Sequence, residues 1–258
     1  MTRGIWDRET VALILLAAML PMALVWLAYG GAPAAGRLVL ALVVSGLWHL
    51  AFMLARAQPP SFAGALTALA VAMLAPVDLG LVALVLGISF GSVMAELVFG
   101  GWGRNVLNPA TVTLAFLGFG FPAAGWPELA PPVAWAAIPA ALIGMGAGVM
   151  SARIMLGAGA ALALAALLGA GIGAALPMAG LVLVVLVCDP VASAATRAGR
   201  WLNGLLYGGL VVMFATGWTG AAPVQVAVSA ALFASLAAPL LDEIAIALWV
   251  AARRRRHG

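Results

Sequence analysis

Apolar residues run through this chain in ten long stretches, at about 10–29, 38–54, 61–75, 79–98, 110–121, 133–150, 154–175, 178–188, 201–217 and 223–250. They are rich in Ala, Leu, Gly and Val and show no alternation of period two, so they predict helices and not the strands of a barrel. A bilayer core of roughly 30 Å takes about 20 helical residues at about 1.5 Å each. The stretches 61–75, 110–121 and 178–188 fall short of that. Short apolar stretches beside Gly, Pro and Asn predict discontinuous helices whose irregular backbone lines a buried site. Ordinary tilted helices with slightly shifted ends are the simpler alternative.

Composition narrows the class. The 258 residues are 66% hydrophobic and 8% charged, against about 25% charged in soluble domains. There is too little polar surface to cover a soluble core, so the chain is expected to be an all-α integral membrane protein. Nothing marks it for nucleic acid. All basic residues are Arg. With the N-terminus inside and each stretch reversing the chain, Arg3, Arg8, Arg56, Arg104, Arg153, Arg197, Arg200 and Arg253–Arg256 fall inside, and Arg37 alone falls outside. That bias predicts ten spans with both termini cytoplasmic. The arginines before His257 are expected at the anionic lipid surface. The segment Met1–Thr10 lacks a small-residue cleavage site at the right distance, which predicts a retained first helix.

The halves look related. Pro76 and Pro109 lie 33 positions apart, as do Pro190 and Pro223. Five segments per half would set a duplicated unit inverted in the membrane. The expected organisation is one transmembrane domain over 1–258, with repeats at about 10–121 and 133–252.

Four polar constellations interrupt the apolar pattern. The first is Glu96-Leu-Val-Phe-Gly-Gly-Trp-Gly-Arg-Asn-Val-Leu-Asn-Pro-Ala110. Each unpaired polar group near hydrocarbon costs several kcal/mol by rough estimate, so such a cluster implies a site. Gly100, Gly101 and Gly103 admit positive φ or close approach to a planar ligand. Asn108 before Pro109 suits a helix start whose positive end would welcome an anion or an electron-rich ring. Glu96, Gly100, Gly101, Gly103, Arg104, Asn105 and Asn108 are therefore the candidate cofactor residues. A plain cytoplasmic loop is the bland reading. The second constellation runs from Cys188 to Trp201, where Asp189 could coordinate a cation with backbone carbonyls. Pairing with Arg197 or Arg200 is the simpler expectation. The third is Ser45-Gly-Leu-Trp-His49, with an intramembrane histidine. The fourth, Ala237 to Glu243, holds Pro239 and Asp242. Trp102, Trp126, Trp201 and Trp218 fit interfacial belts. One Cys and one intramembrane His exclude an iron–sulfur cluster or a bis-histidine haem held by this chain alone, and no metal site is expected.

These residues carry a resemblance. Phe99-Gly-Gly-Trp-Gly-Arg-Asn-Val-Leu-Asn-Pro-Ala-Thr-Val-Thr-Leu-Ala-Phe-Leu, Asp189-Pro-Val-Ala-Ser-Ala with Gly199-Arg-Trp-Leu-Asn-Gly-Leu-Leu-Tyr-Gly208, and Leu232-Phe-Ala-Ser-Leu-Ala-Ala-Pro-Leu-Leu-Asp242 resemble, in order, the NqrB component of the sodium-pumping NADH:quinone reductase and its counterpart RnfD of the Rnf complex. The resemblance runs from about residue 38 to the C-terminus. It implies ten transmembrane segments in two inverted repeats in a bacterial inner membrane, and electron passage through flavin toward a quinone or a partner protein, coupled to cation movement. It implies quinone near Gly46 and His49, and an ion pathway at Asp189 and Asp242. Where the family carries a Gly-Gly pair and a Glu, this chain has Ser45-Gly46 and His49.

The family's Ser-Gly-Ala-Thr motif, whose Thr binds FMN covalently, is absent. No covalent FMN is expected; a noncovalent flavin, riboflavin or FMN, stays open at the Glu96–Asn108 turn. The resulting expectation is a membrane subunit, non-catalytic alone, whose partners are the lipid bilayer, other membrane and redox subunits, and quinone. A solute channel or transporter on the same inverted scaffold, or a structural subunit with an empty site, stays open.

Overall fold

A computed structural model describes residues 6–56 and 61–257, with the side chains of 255–257 outside the description. Arg3 and the arginines at 255 and 256, used for orientation above, therefore lie outside the described residues or side chains, as does His257. Each of the ten apolar stretches is helical. The helices are α1 (Arg8–Arg56), α2 (Ala63–Leu74), α3 (Leu81–Gly91), α4 (Pro109–Gly120), α5 (Pro131–Trp135), α6 (Ala137–Gly146), α7 (Ala152–Leu167), α8 (Leu176–Val182), α9 (Arg197–Gly217) and α10 (Pro223–His257). Among the described residues, three helical runs are long and apolar enough to cross a membrane: Arg8–Arg56, Leu81–Phe99 and Pro223–Arg254.

The first two stretches are limbs of α1, broken at Gly31, where φ is 57° and ψ is −146°. Only glycine adopts such angles cheaply. Both ends of α1 reach the same polar turn: Arg8 Nη1 donates to the Trp102 carbonyl (3.2 Å) and Arg56 Nη1 to the Leu97 carbonyl (2.8 Å). The limbs therefore run back on each other. Asp7 starts α1 by accepting from the Thr10 side chain and amide, and these bonds hold its carboxyl below the ordinary range. The sixth stretch is divided into α5 and α6 at Ala136.

Two helices lose their regular ladder before an acid. α3 passes into a π-helical turn over Ser92–Glu96 and a 3₁₀ turn over Leu97–Phe99. α8 passes into a second π-helical turn over Leu183–Val187, just before Cys188 and Asp189. Such widened turns free carbonyls and re-aim side chains. α2 and α8 are short; α2 is almost wholly buried, as is the π-helical turn that continues α8. They end at Ala75-Pro76 and Asp189-Pro190. Arg37 closes the end of α2 by donating Nη2 to the carbonyls of Ala75 (2.8 Å) and Pro76 (3.0 Å), which have no helical partner of their own.

Packing relies on small residues and a few buried polar ties. A Cβ at Gly204 of α9 would run into the Ile154 carbonyl of α7. Asn203 Nδ2 donates to the Ala234 carbonyl (2.8 Å), and the Tyr207 hydroxyl donates to the Ala179 carbonyl (2.8 Å). Trp102, expected in an interfacial belt, is buried at 4% exposure, while Trp201 and Trp218 are each 39% exposed. The Trp102 carbonyl is held by Arg8, so this side chain belongs to the protein interior and not to the lipid boundary.

Candidate functional site

Glu96 sits at the end of the π-helical turn and exposes none of its side chain. Its Oε1 lies 3.0 Å from His49 Nε2 on the second limb of α1. The other ring nitrogen, Nδ1, lies 2.9 Å from the Ser45 carbonyl one turn earlier. The close approach of α2 holds the ring in place: a Cβ at Gly64 would stand 2.7 Å from His49 Cε1 and 2.8 Å from Ser45 Oγ. Ser45 Oγ itself donates to the Gly64 carbonyl (3.1 Å).

A cavity of about 240 Å³ adjoins this pair, walled by residues that include Arg8, Gly46, His49, Ser61, Glu96 and Gly101. It gathers both candidate quinone residues, Gly46 and His49, with two of the candidate cofactor residues, Glu96 and Gly101. Drug-sized ligands occupy pockets of about 300–1,000 Å³, so this cavity lies just below that range.

The remaining turn residues build the turn. Gly100, Gly101 and Gly103 have φ of 106°, 89° and 94°, as their sequence suggested. Their amides are used internally. Gly100 N donates to the Leu97 carbonyl (3.1 Å), Gly101 N to the Glu96 carbonyl (3.1 Å), and Arg104 N to the Gly101 carbonyl (3.2 Å). Gly103 N donates to Asn105 Oδ1 (3.1 Å), and Asn105 Nδ2 donates to the Leu107 carbonyl (2.9 Å). These donors hold the loop. Arg104 is exposed.

Asn108 does begin a helix. Its Oδ1 accepts from the amides of Ala110 (2.9 Å) and Thr111 (3.2 Å), and Pro109 follows at the first helical position. A carboxyl of the chain itself is tied to this helix start. Asn108 Nδ2 donates to Asp189 Oδ2 (2.7 Å), and Asp189 Oδ1 accepts from the Val191 amide (2.8 Å). The expectation that Asp189 pairs with Arg197 or Arg200 is thus corrected: its hydrogen bonds go to Asn108 and Val191, and Arg200 Nε donates to the Ala194 carbonyl (3.1 Å). Asn108 and Asp189 also border a void of about 20 Å³ with Thr67 and Trp102, room for about one water.

Asp242 lies on α10 and is held by the loop before α9. It accepts from the amides of Ala195 (2.7 Å) and Thr196 (2.9 Å) and from the Thr196 hydroxyl (2.6 Å). Thr196 Oγ1 in turn accepts from Gly199 N (3.0 Å), capping α9. Among the described residues, no cluster of three or more His, Cys, Asp or Glu could hold a metal ion.

The sequence reading missed the arginines that frame the site. Arg8 reaches the cavity wall and Arg56 ties the end of α3. Their only sequence signal was position, at the ends of apolar stretches, where they read as topology markers.

The fold and site define a multi-pass helical membrane protein with an ionisable pair buried beside a small cavity. The chain belongs to the NQR2, RnfD, RnfE family, whose model matches residues 4–172. The NqrB component of the Na(+)-translocating NADH-quinone reductase of Chromohalobacter salexigens is 27% identical over 274 positions, covering 83% of this chain and 65% of that protein. The corresponding protein of Stutzerimonas stutzeri is 26% identical over 277 positions, with 83% and 67% covered. That of Klebsiella pneumoniae strain 342 is 42% identical over 81 residues, 31% of this chain and 20% of that protein. The chain thus spans about two thirds of the length of the longest-matching relatives.

Proposed function

We propose that this chain is a membrane subunit of an electron transport complex that binds a quinone head group in the cavity beside His49 and Glu96, and that the complex couples electron transfer to cation movement. The observation that carries the reading is the convergence of Gly46, His49, Glu96 and Gly101 on one cavity. Support comes also from relatives named as subunits of a Na(+)-translocating NADH-quinone reductase. A quinone brings the redox chemistry; this chain supplies position, a hydrogen-bonding carboxyl and imidazole, and a largely apolar wall.

A noncovalent flavin is a second guest for the same chain, with weaker support, because the amides of Gly100, Gly101, Gly103 and Arg104 are already bonded within the loop. Cation passage near Asp189 is supported by the void it shares with Asn108. Asp242 has less capacity left for an ion, since both its oxygens already accept from the loop.

Ten membrane crossings in two inverted repeats, with both termini cytoplasmic, complete the reading. Two sets of contacts support the alternation. Arg8, Arg56 and Glu9 meet Trp102, Leu97 and Phe62 at one end. Arg37 meets Ala75 and Pro76, and the Val77 amide meets the Gly125 carbonyl, at the other.

Absorption spectra and flavin and quinone titrations of the purified protein test the proposal. Saturable quinone binding is expected. A protein that binds neither, yet moves a solute across proteoliposomes without any reductant, would belong to the transporter reading instead.

A further inference from the structure

A carbonyl oxygen only accepts hydrogen bonds. The 2.9 Å contact between His49 Nδ1 and the Ser45 carbonyl therefore requires a hydrogen on Nδ1. Nε2 faces Glu96 Oε1 at 3.0 Å, and two arrangements satisfy both contacts. Either an imidazolium donates to a carboxylate, or a carboxylic acid donates to a neutral ring. Both hold one proton between the two groups, and both are neutral overall, as a buried site demands. The second carboxyl oxygen is unlike the first. Glu96 exposes no surface, yet Oε2 has no hydrogen-bond partner, which leaves acceptor capacity beside the cavity wall.

The geometry points to His49 and Glu96 as a proton-exchange site, giving the proton held between imidazole and carboxyl to the oxyanion of a quinone in the adjoining cavity once the redox subunits of the proposed complex have reduced it. The inference rests on the proposed quinone reading for the identity of that guest and on the pair's own geometry for the proton. On release the Glu96 O–H bond, or the imidazolium Nε2–H bond, breaks and an O–H bond forms on the guest. A neutral ring with its Nδ1–H intact and a carboxylate remain. No electron moves in this step.

The charged neighbours favour that direction. Arg8 shares the cavity wall, Arg56 holds the Leu97 and Val98 carbonyls next to Glu96, and Glu9 and Asp189 are the carboxylates in electrostatic range. Glu9 is matched by Arg8 (3.1 Å) and by the Phe62 amide (3.0 Å), and Asp189 by Asn108 and Val191. With Arg8 paired to Glu9, the guanidinium of Arg56 is the positive neighbour that favours the anionic pair left by release over the cationic pair that uptake of a second proton would create.

The sequence makes the test clean, because His49 and His257 are its two histidines. The full chain carrying His257→Gln is labelled with ¹⁵N-histidine and reconstituted in nanodiscs. Nitrogen NMR and infrared spectra are recorded across pH, in D₂O, and with a short-chain ubiquinone added oxidised and then reduced with dithionite. The inference predicts a protonated Nδ1 at every pH. It also predicts one exchangeable proton per chain that leaves the pair at high pH and shifts when the reduced quinone is bound. Its infrared signal should be assigned to Glu96 by Glu96→Gln, or by ¹³C-glutamate labelling if that variant does not fold. A bare Nδ1, or a pair unmoved by pH, D₂O and bound quinone, would overturn it. If the pair exchanges its proton but ubiquinone does not bind, the proton site stands and the quinone reading falls. If ubiquinone binds beside an inert pair, the proton site falls and the quinone reading stands.

Discussion

Asn108 Nδ2 and Asp189 Oδ2, from opposite halves of the chain, meet at 2.7 Å. This one contact sets a carboxylate at the positive end of α4 through the amide that caps it, and it joins the end of the α8 stretch to the start of α4. Asn108→Ala removes a helix cap, worth about 1 kcal/mol, and leaves a buried carboxyl oxygen short of a donor, worth about 1–3 kcal/mol. Reversible unfolding in mixed micelles should show a loss of about 2–4 kcal/mol. Asp189→Asn keeps one of the two acceptor contacts and should lose less. Equal losses for the two variants would contradict the bridging role.

Asp242 is expected to be a structural acid. Asp242→Ala strands two amides and the Thr196 hydroxyl at the start of α9, so it should destabilise the protein by about 2–4 kcal/mol, equally in sodium-containing and sodium-free buffer. A loss seen only when sodium is present would mark Asp242 as an ion ligand.

Gly64→Ala inserts a methyl group where His49 and Ser45 already stand 2.7–2.8 Å away. Overpacking of this kind costs about 1–3 kcal/mol. The ring should be displaced from Glu96, and the histidine nitrogen shifts of the variant should differ from those of the parent. Unchanged shifts would show that α2 does not fix the ring.

Cys188 is the chain's only cysteine and is buried, so the natural chain already serves as a quiet background for membrane-impermeant thiol reagents. Exposed positions 104 and 128 lie on either side of α4. Arg104→Cys should label from the inner face and Glu128→Cys from the outer face. Labelling of both from one face would break the ten-span alternation.

The extent to which the sequence disclosed this molecule follows from the kind of interaction at each place. Long apolar stretches became helices because length and composition decide that directly. Asn108-Pro109 became a helix start and the three glycines took positive φ because those are local preferences of the residues themselves. The π-helical turns that end at Glu96 and just before Cys188 were not visible, since Leu183–Val187 reads as an ordinary apolar run and packing, not composition, widens the ladder there. The link between His49 and Glu96 spans 47 positions, and no local pattern encodes it. Arg37 and Arg56 read as topology markers, whereas each also closes a helix end. The same blindness applies to the turn amides: only the folded loop shows those of Gly100, Gly101, Gly103 and Arg104 bonded within it.

The central claim is that the space beside His49 and Glu96 receives a guest, and Gly46 tests it most directly. Gly46 lines the cavity, and a Cβ there would touch nothing within 4 Å, so Gly46→Leu should fill the space without disturbing the fold. Titration of the purified protein with a short-chain ubiquinone, followed by tryptophan fluorescence, should saturate at one site per chain. Gly46→Leu should weaken that binding by about tenfold or more, with its unfolding midpoint unchanged. Equal affinity in the two proteins, or no saturable binding in the parent, would contradict the account.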